Sequence, residues 1–142
     1  MQRSDFRHWF SMPVRWGDLD ALGHVNNVQY YRYYESARVD YAEQVFGIRM
    51  PDRQGIVLAD MQCSFLRQLH YPAQLEVGTR TSRLGNTSAR LTTAIFIEGE
   101  AKPVSTAQGV VVWFDFEQQR SCRVPEPIRQ AVQSFETVPV ET

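Results

Sequence analysis

Two carboxylates, a histidine and two asparagines follow one another closely in the segment 18–27, and these residues are the best suited to chemistry in this chain. Asp20 and His24 are close neighbours, and Asn27 stands where a helical pattern begins. A carboxylate can act as a general base or a nucleophile, and a histidine can move protons near neutral pH. The first N–H groups of a helix have no partners within it, so the amides of Asn27 and Val28 can bind a developing oxyanion. The segment therefore predicts a site that polarises and attacks a carbonyl group.

Each of these side chains also has a structural role available to it. An aspartate in a loop rich in Asp and Gly often accepts a hydrogen bond from its own backbone, and on spacing alone this explains Asp20 better than catalysis does. Asp18 is expected to hold the loop or to pair with Arg15. His24 can orient Asp20 or a water molecule, and it can equally stabilise the loop. The residue types leave both interpretations open.

A helix must begin directly after this loop. Phe10 to Trp16 has the character of a first strand, and Asn26 or Asn27 is a suitable N-cap because its side-chain oxygen can accept a hydrogen bond from a first-turn amide. The helix is predicted from Val28 to Phe46, with Gly47 as its stop. Apolar side chains recur there at spacings of three and four: Tyr30, Tyr34, Ala37, Tyr41 and Val45. Aromatic residues at this spacing usually form a core, so Tyr30 is expected to pack first and to line an acyl pocket second.

The remaining chain predicts strands. After the helix the apolar period changes to two, which gives four strands near 57–65, 75–81, 91–97 and 104–116, joined by short connections. Short connections favour antiparallel neighbours, and a lone helix can bury its apolar face only by lying across such a sheet. The expected fold class is α+β, with a five-stranded antiparallel sheet wrapped around one long helix in a single domain, 1–142. Its last part, 125–142, is expected to be a short helix followed by a loose end.

The loop and the helix carry a family signature. The pattern Asp-x-Asp-x-x-Gly-His-Val-Asn-Asn-x-x-Tyr at residues 18–30, continuing into Tyr-Tyr-Glu-Ser-Ala-Arg at 33–38, resembles that of hotdog-fold acyl-CoA thioesterases of the 4-hydroxybenzoyl-CoA thioesterase type. The resemblance implies the hotdog fold, a catalytic carboxylate at Asp20 and a thioester carbonyl bound by an amide near Asn27. Within the signature, Glu35 and Arg38 are one turn apart and are expected to form an ion pair.

The same signature favours some functions over others. Hotdog enoyl-CoA hydratases carry an Asn-Pro pair that the run Asp20 to His24 lacks, which disfavours a dehydratase or hydratase. Relatives that act on aroyl thioesters have an aromatic pair where this chain has Asn26 and Asn27, which disfavours an aroyl substrate. A non-catalytic module that binds an acyl group or a CoA thioester stays open as a rival of another class. The preferred interpretation is an acyl-CoA thioesterase that releases a free acid and CoA.

Composition limits the possible partners. Lys and Arg number 15 against 16 Asp and Glu, so the chain offers no charge footprint for nucleic acid or for an anionic membrane surface. The phosphates of an acyl-CoA substrate must then meet local arginines, and Arg83 and Arg90 beside a predicted hairpin are candidates, with Arg67 as a third. No metal or redox cofactor is implied. Cys63 and Cys122 have neither the spacing of a zinc site nor that expected of a structural disulfide.

Two further expectations concern location and assembly. The N-terminus lacks the apolar stretch of a secretory signal, and no run approaches the roughly 18 apolar residues of a membrane span, so a cytoplasmic protein is expected. A five-stranded sheet wrapped around one helix leaves a long open edge, and such edges are usually paired or covered. The sequence therefore predicts a homodimer, joined edge to edge, and a tetramer built from it.

Overall fold

A computed structural model describes residues 1–49 and 52–142 of this protein, and it confirms the predicted α+β class. The elements in chain order are β1 (His8–Pro13), α1 (Asn27–Tyr41) with a π-helical extension (Ala42–Phe46), β2 (Gln54–Phe65), β3 (Gln74–Leu84), β4 (Ser88–Ile97), β5 (Ser105–Asp115), β6 (Arg120–Ser121) and α2 (Glu126–Phe135). Within the described ranges the strands form one antiparallel sheet in the order β1-β3-β4-β5-β2, and β6 adds a short pairing to β5. The sheet wraps around α1.

The helix has the predicted extent. Asn26 is its N-cap, because its side-chain oxygen accepts the N–H of Val28 at 3.0 Å, and Asn27 is the first helical residue rather than the cap. Gly47 ends the π-helical extension with a φ of +69°, a left-handed conformation that glycine adopts without strain. The buried face includes all the predicted residues, Tyr30, Tyr34, Ala37, Tyr41 and Val45, and adds Tyr33, Ala42 and Phe46.

The buried tyrosines keep their hydroxyl groups satisfied. Tyr34 donates to Ser105 Oγ at 2.6 Å, and Tyr41 bonds Thr81 Oγ1 at 2.8 Å. Burial is the largest cause that raises the pKa of both hydroxyls far above the usual value of tyrosine, so both stay protonated donors. A polar helix face can therefore serve as core in this fold, because each aromatic ring is buried while its oxygen finds a partner.

The first strand lies earlier in the chain than the sequence predicts. It runs from His8 to Pro13, and after two irregular residues the chain enters a single 3₁₀ turn, Trp16–Asp18. The turn forms because the Asp18 carboxylate accepts the N–H of Arg15 at 3.0 Å, which bends the chain away from the sheet. The chain therefore leaves β1 earlier than predicted.

The second strand also departs from the prediction, in two ways. It does not lie beside β3, with which a short connection would have paired it, but forms the opposite edge of the sheet against β5. Its register shifts between Leu58 and Asp60, so the alternation of inward-facing and outward-facing side chains is interrupted at Ala59. As a result, the side chain of Leu58 faces the helix. One long side of β2 has no strand partner among the described residues.

The C-terminal tail is anchored rather than loose. Glu141 donates its N–H to the carbonyl of Ser82 and accepts the N–H of Leu84, which adds a short parallel pairing to β3 beyond the end of β1. Glu136 accepts the N–H of Thr81 at 2.8 Å and the hydroxyl of Tyr41. The tail thus covers the part of the β3 edge that β1 leaves free.

The N-terminal residues cover the outer face of the sheet. The ring of Phe6 lies over Gly78, where an added Cβ would stand 2.6 Å from the ring, and it meets Trp9 and Phe96 edge to face. The guanidinium of Arg3 lies over the same two partner rings. This packing depends on the missing side chain of Gly78.

Candidate active site

The loop between β1 and α1 is fixed at several points by backbone hydrogen bonds. Leu19 pairs with Val25, the N–H of Asp20 bonds the carbonyl of His24 at 2.9 Å, and Val25 donates to the carbonyl of Leu69. Gly23 takes a φ of +82° at the tip, which allows the chain to reverse between Asp20 and His24. A tight turn thus holds these two residues beside the start of the helix.

Asp18 is turned into the fold. Its carboxylate is buried and accepts the hydroxyl of Tyr33 at 2.6 Å together with the N–H of Arg15, whose guanidinium lies 3.7 Å away. Burial and the bond to this carboxylate raise the pKa of Tyr33 far above its usual value, so the hydroxyl remains a donor. Asp18 therefore holds the loop, as the sequence predicts.

Asp20 is turned outward to a pocket. It lines an open cavity of about 320 Å³ together with His24, Asn27 and Tyr30, and the opposite wall is formed by the last residue of β2 and the three that follow it, 65–68. One carboxylate oxygen accepts the N–H of Leu22 at 2.9 Å, which is the local turn that the simpler interpretation predicts. The second oxygen has no hydrogen-bond partner among the described residues. The turn and a chemical role are thus compatible, since one oxygen orients the group and the other faces the pocket.

The two predicted oxyanion donors differ. The N–H of Val28 is donated to the Asn26 side chain, so the helix cap already occupies it. The N–H of Asn27, at the first helical position, has no acceptor within the described residues, and Asn27 lines the pocket. A free amide at the positive end of the helix dipole can bind an oxyanion. The geometry therefore favours Asn27 over Val28 as the donor.

His24 and Tyr30 form two sides of the pocket. The imidazole of His24 meets that of His70 edge to face, with ring centroids 5.1 Å apart, so His70 packs against His24 and helps to hold its ring. Tyr30 packs against Phe65 at 4.9 Å, and its hydroxyl lies 3.4 Å from the carbonyl of Arg67. Burial raises the pKa of Tyr30, which keeps the hydroxyl neutral. Tyr30 is thus both core and pocket wall.

The arginines suggested for the carrier are not all at this pocket. Arg67 lines it, but its guanidinium is bonded to Glu100 at 3.0 Å and to the carbonyl of Lys102. Arg83 and Arg90 face each other as a cross-strand pair near the tip of the β3–β4 hairpin, and both are exposed. That tip is at the far end of β3, roughly 30 Å along the strand from the end beside the loop. One chain does not bring Arg83 and Arg90 to Asp20.

A larger groove of about 640 Å³ runs along the outer face of the second half of α1. It offers apolar side chains and several charged ones but no free helix-start amide, so the smaller pocket is the better candidate for carbonyl chemistry. The described residues contain no cluster of three or more His, Cys, Asp or Glu placed to hold a metal ion. Nor do they include a helix with the length and apolar content needed to cross a membrane.

A long helix in a curled antiparallel sheet is the arrangement of the hotdog fold. The profile of the thioesterase-like superfamily matches residues 14–132, and the chain belongs to that superfamily. The predicted hotdog fold and family are confirmed.

Individual relatives are consistent with this membership. The acyl-acyl carrier protein thioesterase ATL3 of Arabidopsis thaliana is 31% identical over 134 residues, covering 90% of this chain and 68% of that protein. A Thermus thermophilus thioesterase, solved as a complex with coenzyme A and Zn, is 32% identical with a TM-score of 0.82, covering 95% and 98% of the two chains. The uncharacterised YsmA of Bacillus subtilis is 29% identical over 89 residues, which span only 60% of its length.

Sequence reasoning missed the far wall of the pocket. Phe65, Leu66 and Gln68 reach it because β2 ends beside the start of the helix, and no motif marks them. The one available signal was the turn expected at Tyr71–Pro72, which ends the short segment that directly follows β2. A connection forced to turn there must pass close to the loop that precedes the helix.

Proposed function

We propose that this protein is an acyl-CoA thioester hydrolase with Asp20 as its reactive carboxylate. Membership of the thioesterase-like superfamily supports thioester hydrolysis as the reaction. The observation that carries the residue assignment is that Asp20 lines one pocket with Asn27, a residue whose N–H has no acceptor among the described residues. A carbonyl oxygen bound by this amide would present its carbon to the carboxylate or to a water beside it.

In the proposed reaction the developing oxyanion is held by the N–H of Asn27. In one route Asp20 removes a proton from water as the water attacks the carbonyl carbon, the C–S bond breaks, and the proton passes to the leaving thiolate. In the other, Asp20 attacks the carbonyl carbon itself, the C–S bond breaks to release the thiolate, and water then hydrolyses the resulting mixed anhydride to the free acid, which regenerates the carboxylate and supplies the thiol proton. Both routes require the ionised carboxylate. His24, at the pocket wall, is placed to carry the proton toward the leaving group or to orient Asp20.

We further propose that the protein works as a homodimer joined along β2. The long side of β2 that lacks a partner is one reason, because an open strand edge favours pairing. Exposed large apolar side chains are the other reason, since six of the ten found among the described residues lie on or next to α1 and β2: Val28, Tyr31, Val39, Leu58, Phe65 and Leu66. A grouped apolar surface of this kind marks an interaction site.

The dimer would also place the carrier arginines. Antiparallel pairing of β2 with a second β2 reverses the direction of the partner, so the hairpin tip of one copy comes to the same end of the assembly as the pocket of the other. Arg83 and Arg90 of the partner subunit are then the proposed contacts for CoA phosphates. Association of dimers into a tetramer remains part of the proposal. Cys63 and Cys122 are free thiols, which supports the proposed cytoplasmic location.

The test is release of free thiol from a panel of acyl thioesters. The panel includes short, medium and long acyl-CoAs, one aroyl-CoA and one acyl-carrier-protein thioester. We expect turnover of an aliphatic acyl-CoA that is lost in Asp20→Asn. Binding of a non-hydrolysable acyl thioether of CoA without any turnover would instead establish the binding module.

A further inference from the structure

Arg38 is half-buried, yet it has no hydrogen bond or ion pair within the described residues. The sequence predicts a pair with Glu35, and this is wrong, because Glu35 bonds Arg32 at 2.9 Å on the exposed surface. Burial lowers the pKa of Arg38, although a guanidinium remains charged at any ordinary pH. Glu35 of the same chain offsets part of this effect without contacting Arg38. A charge partly withdrawn from water with no ion pair of its own is costly, so Arg38 favours a further carboxylate from outside the chain.

Arg38 lies at the seam that the proposed dimer would bury. Its side chain lines the groove along α1 beside Leu58 of β2, and Val39 and Leu58 there are 48% and 44% exposed. The position is continuous with the unpaired edge of β2. A second copy of this chain joined along that edge would therefore meet the flank of α1 on which Arg38 stands.

The alignment of α1 along β2 determines which residues of the two subunits would meet across the seam. Tyr30 packs on Phe65 at the end of β2, and Arg38 stands beside Leu58, seven residues earlier. The centre of the strand Gln54–Phe65 is therefore level with helix positions 36 and 37. A two-fold axis through this centre, perpendicular to the sheet, keeps both helices on one face and exchanges positions placed symmetrically about that level.

We propose that Arg38 forms an ion pair with Glu35 of the partner subunit, and that the two-fold axis repeats the pair, so that two such pairs flank the axis. Glu35 and Arg38 are equally far from the level of the axis. Glu35 supplies the counter-charge that Arg38 lacks, and its bond to Arg32 is exposed, so Glu35 can share or exchange that partner. The inference rests on the dimer proposed above.

Charge reversal tests the pair across the seam. Glu35→Arg and Arg38→Glu each place like charges opposite one another, so each variant alone should have a dimer dissociation constant at least about tenfold above wild type. An equimolar mixture of the two variants should restore tight association as a heterodimer, since every cross-seam contact is then again between opposite charges. Sedimentation equilibrium over a range of concentrations measures both effects.

The mixture separates a pair between chains from one within a chain. The double variant Glu35→Arg/Arg38→Glu restores either kind, whereas the mixture restores only the pair between chains. Glu98→Arg, an equal change of charge in the exposed turn after β4 and outside this groove, should leave the dimer within about twofold of wild type. If a reversed variant does not fold, judged by circular dichroism, Glu35→Gln and Arg38→Gln are compared in its place, each expected to weaken the dimer a few-fold.

Two results would overturn the pair: wild-type association of both single variants, or weakened variants that the mixture fails to restore. A wild-type protein that is monomeric at all concentrations would overturn the dimer itself. Thiol release measured on the same samples reports on the hydrolase separately, because neither Glu35 nor Arg38 is placed in the pocket of Asp20.

Discussion

Replacing Asp20 with Asn tests the proposed chemistry most directly. The amide keeps an oxygen to accept the N–H of Leu22, which the carboxylate accepts at 2.9 Å, so the turn and the shape of the pocket should persist. What is lost is the negative charge and the basicity. A general base contributes about 10²–10⁴-fold, so the variant should lose that factor in kcat, equivalent to about 3–5 kcal/mol of transition-state stabilisation.

Asp18→Asn is the matched control. The Asp18 carboxylate is 5% exposed and accepts both the Tyr33 hydroxyl and the Arg15 N–H, so its loss should destabilise the fold by about 1–3 kcal/mol. A chain of this size should then melt roughly 3–5 °C lower per kcal/mol. Asp20→Asn, at a partly exposed position, should change the free energy of unfolding by no more than about 0.5 kcal/mol.

The assay is thiol release under saturating acyl-CoA, with melting temperature measured on the same preparations and affinity for a non-hydrolysable thioether of CoA measured by calorimetry. We expect Asp20→Asn to bind normally, melt normally and turn over at least about a hundredfold more slowly. Activity within a few-fold of wild type in Asp20→Asn, combined with loss in folded Asp18→Asn, would show that the wrong carboxylate was chosen.

Three further predictions concern the carrier, the outer face and the tail. Arg90→Ala should raise KM for acyl-CoA several-fold with kcat unchanged, because phosphate contacts act equally on ground and transition states; added salt should do the same to wild type, and unchanged kinetics would place the phosphates elsewhere. Gly78→Ala should destabilise the fold by about 1–3 kcal/mol in urea unfolding, because the new methyl would displace the ring of Phe6, whereas an unchanged midpoint would show that this packing contributes little. Burial raises the pKa of Glu136, so its protonated form favours the fold, and the stability that it contributes is lost as pH rises from about 4.5 through the folded-state pKa. The free energy of unfolding of Glu136→Gln should therefore rise relative to that of wild type as pH increases from 4 to 7. A difference between the two proteins that does not change with pH would contradict the raised pKa.

Local features could be predicted from the sequence because their signals are local. The helix start follows from an asparagine that can cap it, and the stop follows from Gly47, which takes a left-handed conformation. Asp20 and Asn27 reach one pocket because only a short loop separates them. Their chemical roles remain predictions, since the pocket shows position and not reactivity.

Non-local features escaped the sequence. Glu35 has an arginine three residues away on each side, and the helix pattern cannot decide between Arg32 and Arg38; the choice depends on how deeply β2 buries one of them. The register shift near Ala59 was equally hidden, because strict alternation assumes an unbroken ladder. Edge strands tolerate such shifts more easily than central strands do, since only one neighbour must adjust.

The strand order has a consequence for how this protein is made. The partner of β2 within the chain is β5, which leaves the ribosome about 50 residues later, after both strands of the β3–β4 hairpin. At translation rates of 5–20 residues per second, β2 waits roughly 3–10 s for its partner strand. A nascent chain therefore presents an unpaired strand throughout that interval, together with Tyr34, whose hydroxyl bonds Ser105 of β5 in the finished fold. Slow codons between 66 and 104 would lengthen this exposure, and yield in the cell should fall without any change in the stability of the finished protein.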